Sequence, residues 1–165
     1  MRILVISDTH IPLTAETLPP LIEKEAKKSD CCLHAGDLIS KEVLQKLSSL
    51  TKTYAVYGNM DDPELKRELP QKLIIPCEEV TIGLTHGRGS PANLIQIIQK
   101  EFAKEKKQID IFVFGHTHSP IDREINGKIY FNPGSPTDTF FTPYRSYGIL
   151  EIEGKSIKRR IIRIE

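Results

Sequence analysis

Ile109-Asp110-Ile111-Phe112-Val113-Phe114-Gly115-His116-Thr117-His118 is the stretch on which the reading of this chain turns. The apolar run from Ile109 to Phe114 is short, aliphatic and aromatic, which suits a buried strand better than a helix. A glycine and two histidines close it. The same order, a β-like apolar run followed by a side chain able to bind a metal, recurs along the chain. Asp8 and His10 follow Ile3 to Ile6, Asp37 follows Leu33, Asn59 follows Val56, and His86 follows Leu84. In α/β sheets the loops beyond the carboxyl ends of the strands share one rim, so residues distant in sequence can meet there.

Between these runs lie segments of helical periodicity. Leu18, Leu21, Ile22 and Ala26 mark one helix over Thr17 to Lys28; Val43, Leu44, Leu47 and Leu50 mark another over Lys41 to Leu50, with Ser40 as its N-cap. Strands are expected at Ile3 to Ile6, Cys31 to Leu33 and Thr53 to Tyr57, which gives a βαβαβ rhythm and a parallel sheet. Further on come β-like Leu73 to Pro76 and Val80 to Thr85, then a helix from Pro91 to Lys104. Past Ser119 two hairpins follow, Ile121 to Phe131 around Asn126-Gly127 and Tyr147 to Ile164 around Gly154-Lys155, so the last third is expected to be antiparallel. A mixed sheet, or two sheets packed face to face with helices outside, would hold both halves.

Composition narrows the setting. With 165 residues the chain fits one domain, 1–165, large enough for a core without disulfide support. A hydrophobic share of 39%, a charged share of 27% and a formal net charge of +1 are ordinary for a globular protein and argue against nucleic-acid binding by bulk charge. Cys31, Cys32 and Cys77 make no disulfide framework, which fits a reducing cytoplasm. Met1 and Arg2 lead straight into Ile3 with no signal-peptide core, and no run approaches the ~18 apolar residues of a membrane span.

Asp8, His10, Asp37, Asn59, His86, His116 and His118 are too many donors for one cation. Carboxylate, amide oxygen and imidazole without thiolate suit Mn²⁺, Ni²⁺, Fe²⁺ or Zn²⁺ in a hydrolytic centre rather than a structural zinc; manganese is favoured. Two neighbouring cations repel, and a carboxylate between them relieves this; Asp37 is the candidate. Two cations less Asp8, Asp37 and one hydroxide leave roughly +1, which favours a phosphate ester. Asp8/His10 and His116/His118 are spaced i, i+2, which in an extended segment turns both side chains to one side. A metal-bound water of lowered pKa then serves as nucleophile, with no need of a serine or cysteine.

Asp8-x-His10, Gly36-Asp37, Gly58-Asn59-x-Asp61, His86-Gly87 and Gly115-His116-x-His118 together resemble the motif series of the calcineurin-like metallophosphoesterase superfamily. Any one of these motifs is weak; five in order are specific. The short length and the Asn132-Pro133-Gly134-Ser135 stretch are similar to its small single-domain bacterial and archaeal phosphodiesterases. The resemblance implies an αββα sandwich of two mixed β-sheets flanked by helices. It also implies a dinuclear centre, with Asp8, His10, Asp37 and His118 on one metal and Asp37, Asn59, His86 and His116 on the other. The expected activity is hydrolysis of a small phosphodiester through a metal-bridging hydroxide, with Asp37 and Asn59 as catalytic residues. Where many members have a histidine that protonates the leaving group, this chain has Met60. A thioether donates no proton, so slow turnover and a preference for good leaving groups such as aryl esters are expected.

Several positions keep two readings. Asp61 either orients Asn59 or a ligand imidazole, or forms a turn with Asp62-Pro63. Arg88 either reaches a substrate phosphate or is simply exposed, and Ser135 either lines the site or shapes its turn. His34, the one histidine of five outside the motifs, is expected to be packed and hydrogen-bonded. The Thr137 to Pro143 loop, with Phe140 and Phe141, is an apolar wall beside the metals or a contact in a homo-oligomer. Phosphomonoesterase activity is the nearest enzymatic rival. The other rival is a non-catalytic protein-binding scaffold, like the superfamily's retromer subunit, which keeps the fold as a protein-binding surface while its site has decayed.

Overall fold

The computed structural model describes residues 1–165. Ten strands and four helices follow one another as β1 (Arg2–Ile6), α1 (Pro20–Lys27), β2 (Cys31–His34), α2 (Lys41–Leu50), β3 (Lys52–Ala55), α3 (Pro63–Glu68), β4 (Lys72–Cys77), β5 (Val80–Thr85), a 3-10 turn at Pro91–Asn93, α4 (Leu94–Glu101), β6 (Ile111–Val113), β7 (Ile121–Ile125), β8 (Lys128–Asn132), β9 (Ser146–Glu153) and β10 (Ser156–Arg163). They form two five-stranded sheets, ordered β10-β9-β1-β2-β3 and β4-β5-β6-β8-β7. Both sheets are mixed: β1, β2 and β3 run parallel, as do β5, β6 and β8, while the β1–β9, β9–β10, β4–β5 and β7–β8 pairings are antiparallel.

The period of two along each strand explains why there are four layers. In β1, Ile3 and Val5 face the other sheet while Leu4 and Ile6 face α1 and α2; in β2, Cys31 and Leu33 divide from Cys32 in the same way. In β6, Ile111 and Val113 join the core between the sheets, and Phe112 packs outward against Leu94, Ile98 and Phe102 of the α4 segment. Strands covered on both faces can be apolar throughout, and each such buried Leu, Ile or Phe contributes ~1.5–3 kcal/mol of transfer free energy. The result is the αββα sandwich. No helix is long and apolar enough to cross a membrane.

The differences from the sequence reading have local causes. Helix α1 begins at Pro20 rather than Thr17, because Pro19-Pro20 fixes the entry and places a proline at the first helical position. The segment expected as one helix from Pro91 to Lys104 splits into the 3-10 turn and α4, ending at Glu101. Ser40 does precede α2, but its side chain makes no capping hydrogen bond. The last third is not wholly antiparallel: β8 returns from the β7 hairpin to lie parallel beside β6. Helix α3 has a single buried residue, Leu65, so its six residues carry too little apolar periodicity to be seen beforehand.

Candidate metal centre

Each candidate donor sits just beyond the carboxyl end of one of the parallel strands, and the loops are stitched together by backbone hydrogen bonds. The Asp8 amide donates to Gly36 O at 3.0 Å, His10 N to Asp37 O at 3.0 Å, and Gly115 N to His86 O at 3.1 Å. The rim is thus one assembly of loops from both sheets.

Its backbone is left-handed at five of the seven candidate donors. Asp8, His10, Asp37, His116 and His118 all have positive φ, between 43° and 72°, a region that side-chain-bearing residues enter at a cost. This changes the expected basis of the i, i+2 pairs. Asp8/His10 and His116/His118 turn their side chains inward through left-handed turns, not through the alternation of an extended strand. Two glycines make room for them. A Cβ on Gly58 would overlap the Asp37 carboxylate, and one on Gly115 would overlap Ser7 Oγ and lie 2.7 Å from Asp8 Oδ2.

Hydrogen bonds fix which atoms face the centre. Asp8 is fully buried; its Oδ2 accepts from Ser7 Oγ at 2.7 Å and from His116 N at 3.1 Å, and its Oδ1 lies 3.5 Å from His118 Nε2. His118 Nδ1 donates to Asp138 Oδ2, and His86 Nδ1 donates to Ala35 O at 2.7 Å. Both rings therefore carry a proton on Nδ1 and turn Nε2 inward, where a cation can replace a second proton, the arrangement in which an outer acceptor orients a metal-binding imidazole. His10 Nε2 and His118 Nε2 stand 3.2 Å apart, and His86 Nε2 lies 3.1 Å from Asn59 Oδ1 and 3.3 Å from Asp37 Oδ2. Donors ~2.1 Å from one cation at angles near 90–110° fall ~3.0–3.4 Å apart, so these spacings fit metal ligation.

In two groups all the ligand atoms lie within 4.8 Å of one another, Asp8 with His10 and His118, and Asp8 with Asp37 and His86. His116 belongs to neither. Its Nε2 donates to Gly89 O at 2.8 Å, which leaves Nδ1 as the ring nitrogen with a lone pair, and its ring meets that of His86 edge-on at 5.3 Å.

Electrostatics favour a cation here. Burial alone would raise the carboxyls of Asp8 and Asp37, yet both are held below the ordinary value: Asp8 by His10, His86 and His118, Asp37 by His86, the Met60 amide and His10. Burial likewise opposes a charged His86, but Asp37 and Asp8 outweigh it and push its pKa up to about 9. A pair of buried carboxylates thus holds positive charge among the imidazoles, and a divalent cation meets the same demand.

The remaining residues sort differently. Asp61 acts on the Asn59 loop and not on an imidazole. Its buried carboxylate accepts from Gly58 N at 2.7 Å, Ile39 N at 2.6 Å and Asp37 N at 3.1 Å, and so locks the Asp37 and Asn59 loops together. Ser135 does not face a substrate: it is wholly buried, donates to Asp8 O at 2.7 Å and accepts from Asp138 N at 2.9 Å. Arg88 is exposed, beside a small recess of about 180 Å³ that also touches Asn59 and His86. His34 is buried with Nε2 3.1 Å from Thr9 Oγ1 and Nδ1 without a partner; burial drives its pKa down to about 3.

Sequence reasoning did not find Asp138 or Ser7. Asp138 holds His118 with one oxygen and, with the other, accepts from Phe140 N at 2.7 Å and Phe141 N at 3.2 Å. An open cleft of about 600 Å³ leads to the centre, lined by His10, Asp37, Asn59, His116 and His118 and flanked by Leu13, Met60 and Phe141.

Four layers, left-handed donor loops and inward-facing carboxylates and imidazoles define a metal-dependent hydrolase centre on a phosphoesterase scaffold. Residues 1–155 match the family model for the calcineurin-like phosphoesterase superfamily domain, and the chain belongs to that superfamily. It is a metallophosphoesterase. The chain is 36% identical over 163 residues to a probable metallophosphoesterase from Methanothermobacter thermautotrophicus, covering 99% of this chain and 92% of the relative. Among solved structures, a Thermotoga maritima protein shares 33% identity with a TM-score of 0.77, covering 99% of each chain. Vps29 from Entamoeba histolytica complexed with Zn²⁺ shares 26% identity with a TM-score of 0.76, again over 99% of each chain.

Proposed function

We propose that this metallophosphoesterase cleaves small phosphodiesters at a dinuclear divalent-metal centre, Asp8, His10, Asp37 and His118 holding one cation and Asp37, Asn59, His86 and His116 the other. One observation carries the reading. Asp37 Oδ2, grouped with Asp8 and His86, lies 3.3 Å from His86 Nε2 and also 3.5 Å from His10 Nε2 of the other group, so one carboxylate is within reach of donors from both. Asp37 Oδ1, meanwhile, is pinned by the Met60 amide at 2.8 Å. Bound, the cations supply a water of lowered pKa as nucleophile and neutralise charge developing at phosphorus; Mn²⁺ is favoured over Ni²⁺, Fe²⁺ and Zn²⁺.

The chain's own groups do the rest. Asn59 turns its amide oxygen to His86 and keeps its NH₂ for a phosphoryl oxygen. No lysine or arginine lines the cleft, which suits the single charge of a diester better than the nearly double charge of a monoester at neutral pH. Met60, half exposed at the cleft, gives the leaving oxygen no proton, so esters of acidic alcohols and phenols are favoured. Three free, buried cysteines support a cytoplasmic location.

Metal-stripped protein reloaded with Mn²⁺ should release nitrophenolate from bis(4-nitrophenyl) phosphate at least about tenfold more efficiently than from 4-nitrophenyl phosphate, a difference of ~1.4 kcal/mol in barrier, and chelation should abolish release. The likeness to Vps29 favours one alternative, a protein-binding scaffold. Absence of any metal-stimulated hydrolysis would select it.

A further inference from the structure

Seven large apolar side chains are exposed in this protein, and Leu13, Met60 and Phe141 of these surround the mouth of the cleft. Phe141 is 75% exposed, and Phe140, 88% exposed, packs against it with ring centroids 5.4 Å apart. Neither ring is held by a core. What holds their backbone is Asp138, whose carboxylate accepts from both of their amide N–H groups and also from His118 Nδ1. The Phe141 ring stands edge-on to the His118 imidazole, centroids 5.9 Å apart, on backbone anchored to the same carboxylate as that imidazole. An exposed aromatic with a fixed place beside a reactive centre is a surface prepared for another ring.

Resting on the phosphodiesterase reading, we infer that Phe141 determines substrate specificity, by stacking against a planar aromatic ester group of the diester while the phosphate sits at the donor cluster. The cleft has the volume for both parts, about 600 Å³. Its walls offer that group no cation for a second phosphate, so the preferred substrate has one phosphate and at least one flat, apolar arm. Leu13 and Met60 line the same cleft and add to its apolar walls. Phe140 does not line the cleft; it backs Phe141 and keeps its ring in place.

Phenylphosphonate and methylphosphonate have the same anionic group and cannot be hydrolysed, so calorimetry on Mn²⁺-loaded protein separates ring recognition from catalysis. The native chain should bind the phenyl compound about five- to tenfold more tightly, an excess that Phe141→Ala reduces to about twofold or less and Phe141→Tyr restores. Metal content, measured in parallel, should be the same in all three proteins. In hydrolysis, phenyl 4-nitrophenyl phosphate should be preferred over methyl 4-nitrophenyl phosphate through KM, and Phe141→Ala should erase that ratio. Hydrolysis of both esters with a ratio indifferent to Phe141 overturns this inference and leaves the phosphodiesterase reading standing. No hydrolysis of either ester by the metal-loaded native chain overturns both.

Discussion

Asp138 joins two features with one carboxylate. Its Oδ2 fixes the tautomer of His118 and its Oδ1 fixes the Phe140–Phe141 turn. The His118 hydrogen bond and the two amides keep its carboxyl below the ordinary value against the opposing effect of burial. Asparagine has a single acceptor oxygen for both tasks, so Asp138→Asn should weaken Mn²⁺ binding about 10- to 100-fold, read by calorimetry on the stripped protein. Unchanged affinity would show that His118 needs no outer partner. The seven candidate donors could be named from the sequence because their chemistry is written in residue type and each follows an apolar run, and the structure gathers Asp8, His10, Asp37, His86 and His118 into two groups. Asp138 could not be named this way, since it lies 20 positions past His118 in a loop with no periodicity, and only the fold brings it there. Ser135 misled for the converse reason: a hydroxyl in a turn looks available until its burial is known.

At the level of elements, strand alternation was readable wherever both faces are apolar. Ile3 and Val5 against Leu4 and Ile6 already imply two layers in contact with β1, and the structure fills them. What pattern could not supply was the way short, weakly patterned pieces close. Helix α3 and the parallel return of β8 depend on contacts distant in sequence. Nor could spacing reveal that the paired donors sit on left-handed backbone. The strand-to-loop junction at Gly115 has a measurable consequence. A methyl there would intrude on Ser7 Oγ and Asp8 Oδ2, so Gly115→Ala should lower stability by ~1–3 kcal/mol in denaturant unfolding and weaken metal binding with it. Wild-type stability in that variant would mean the Asp8 loop is looser than its contacts imply.

For the whole molecule, the two sheets each contribute one half of the site. The β1-β2-β3 side brings Asp8, His10, Asp37 and Asn59, and the β5-β6-β8 side brings His86, His116, His118 and Asp138. The 17-residue core between the sheets therefore also sets the distance between the donor groups. Packing and chemistry are coupled through that interface, because a rim built from both sheets is only as well ordered as the contact beneath it. Titration of metal-free protein with Mn²⁺, followed by electron paramagnetic resonance, tests the shared-carboxylate centre most directly. Two Mn²⁺ per chain with a spin-coupled spectrum, reduced to uncoupled signals by Asp37→Ala, is the expected result; one Mn²⁺ per chain with an isolated six-line spectrum would contradict it.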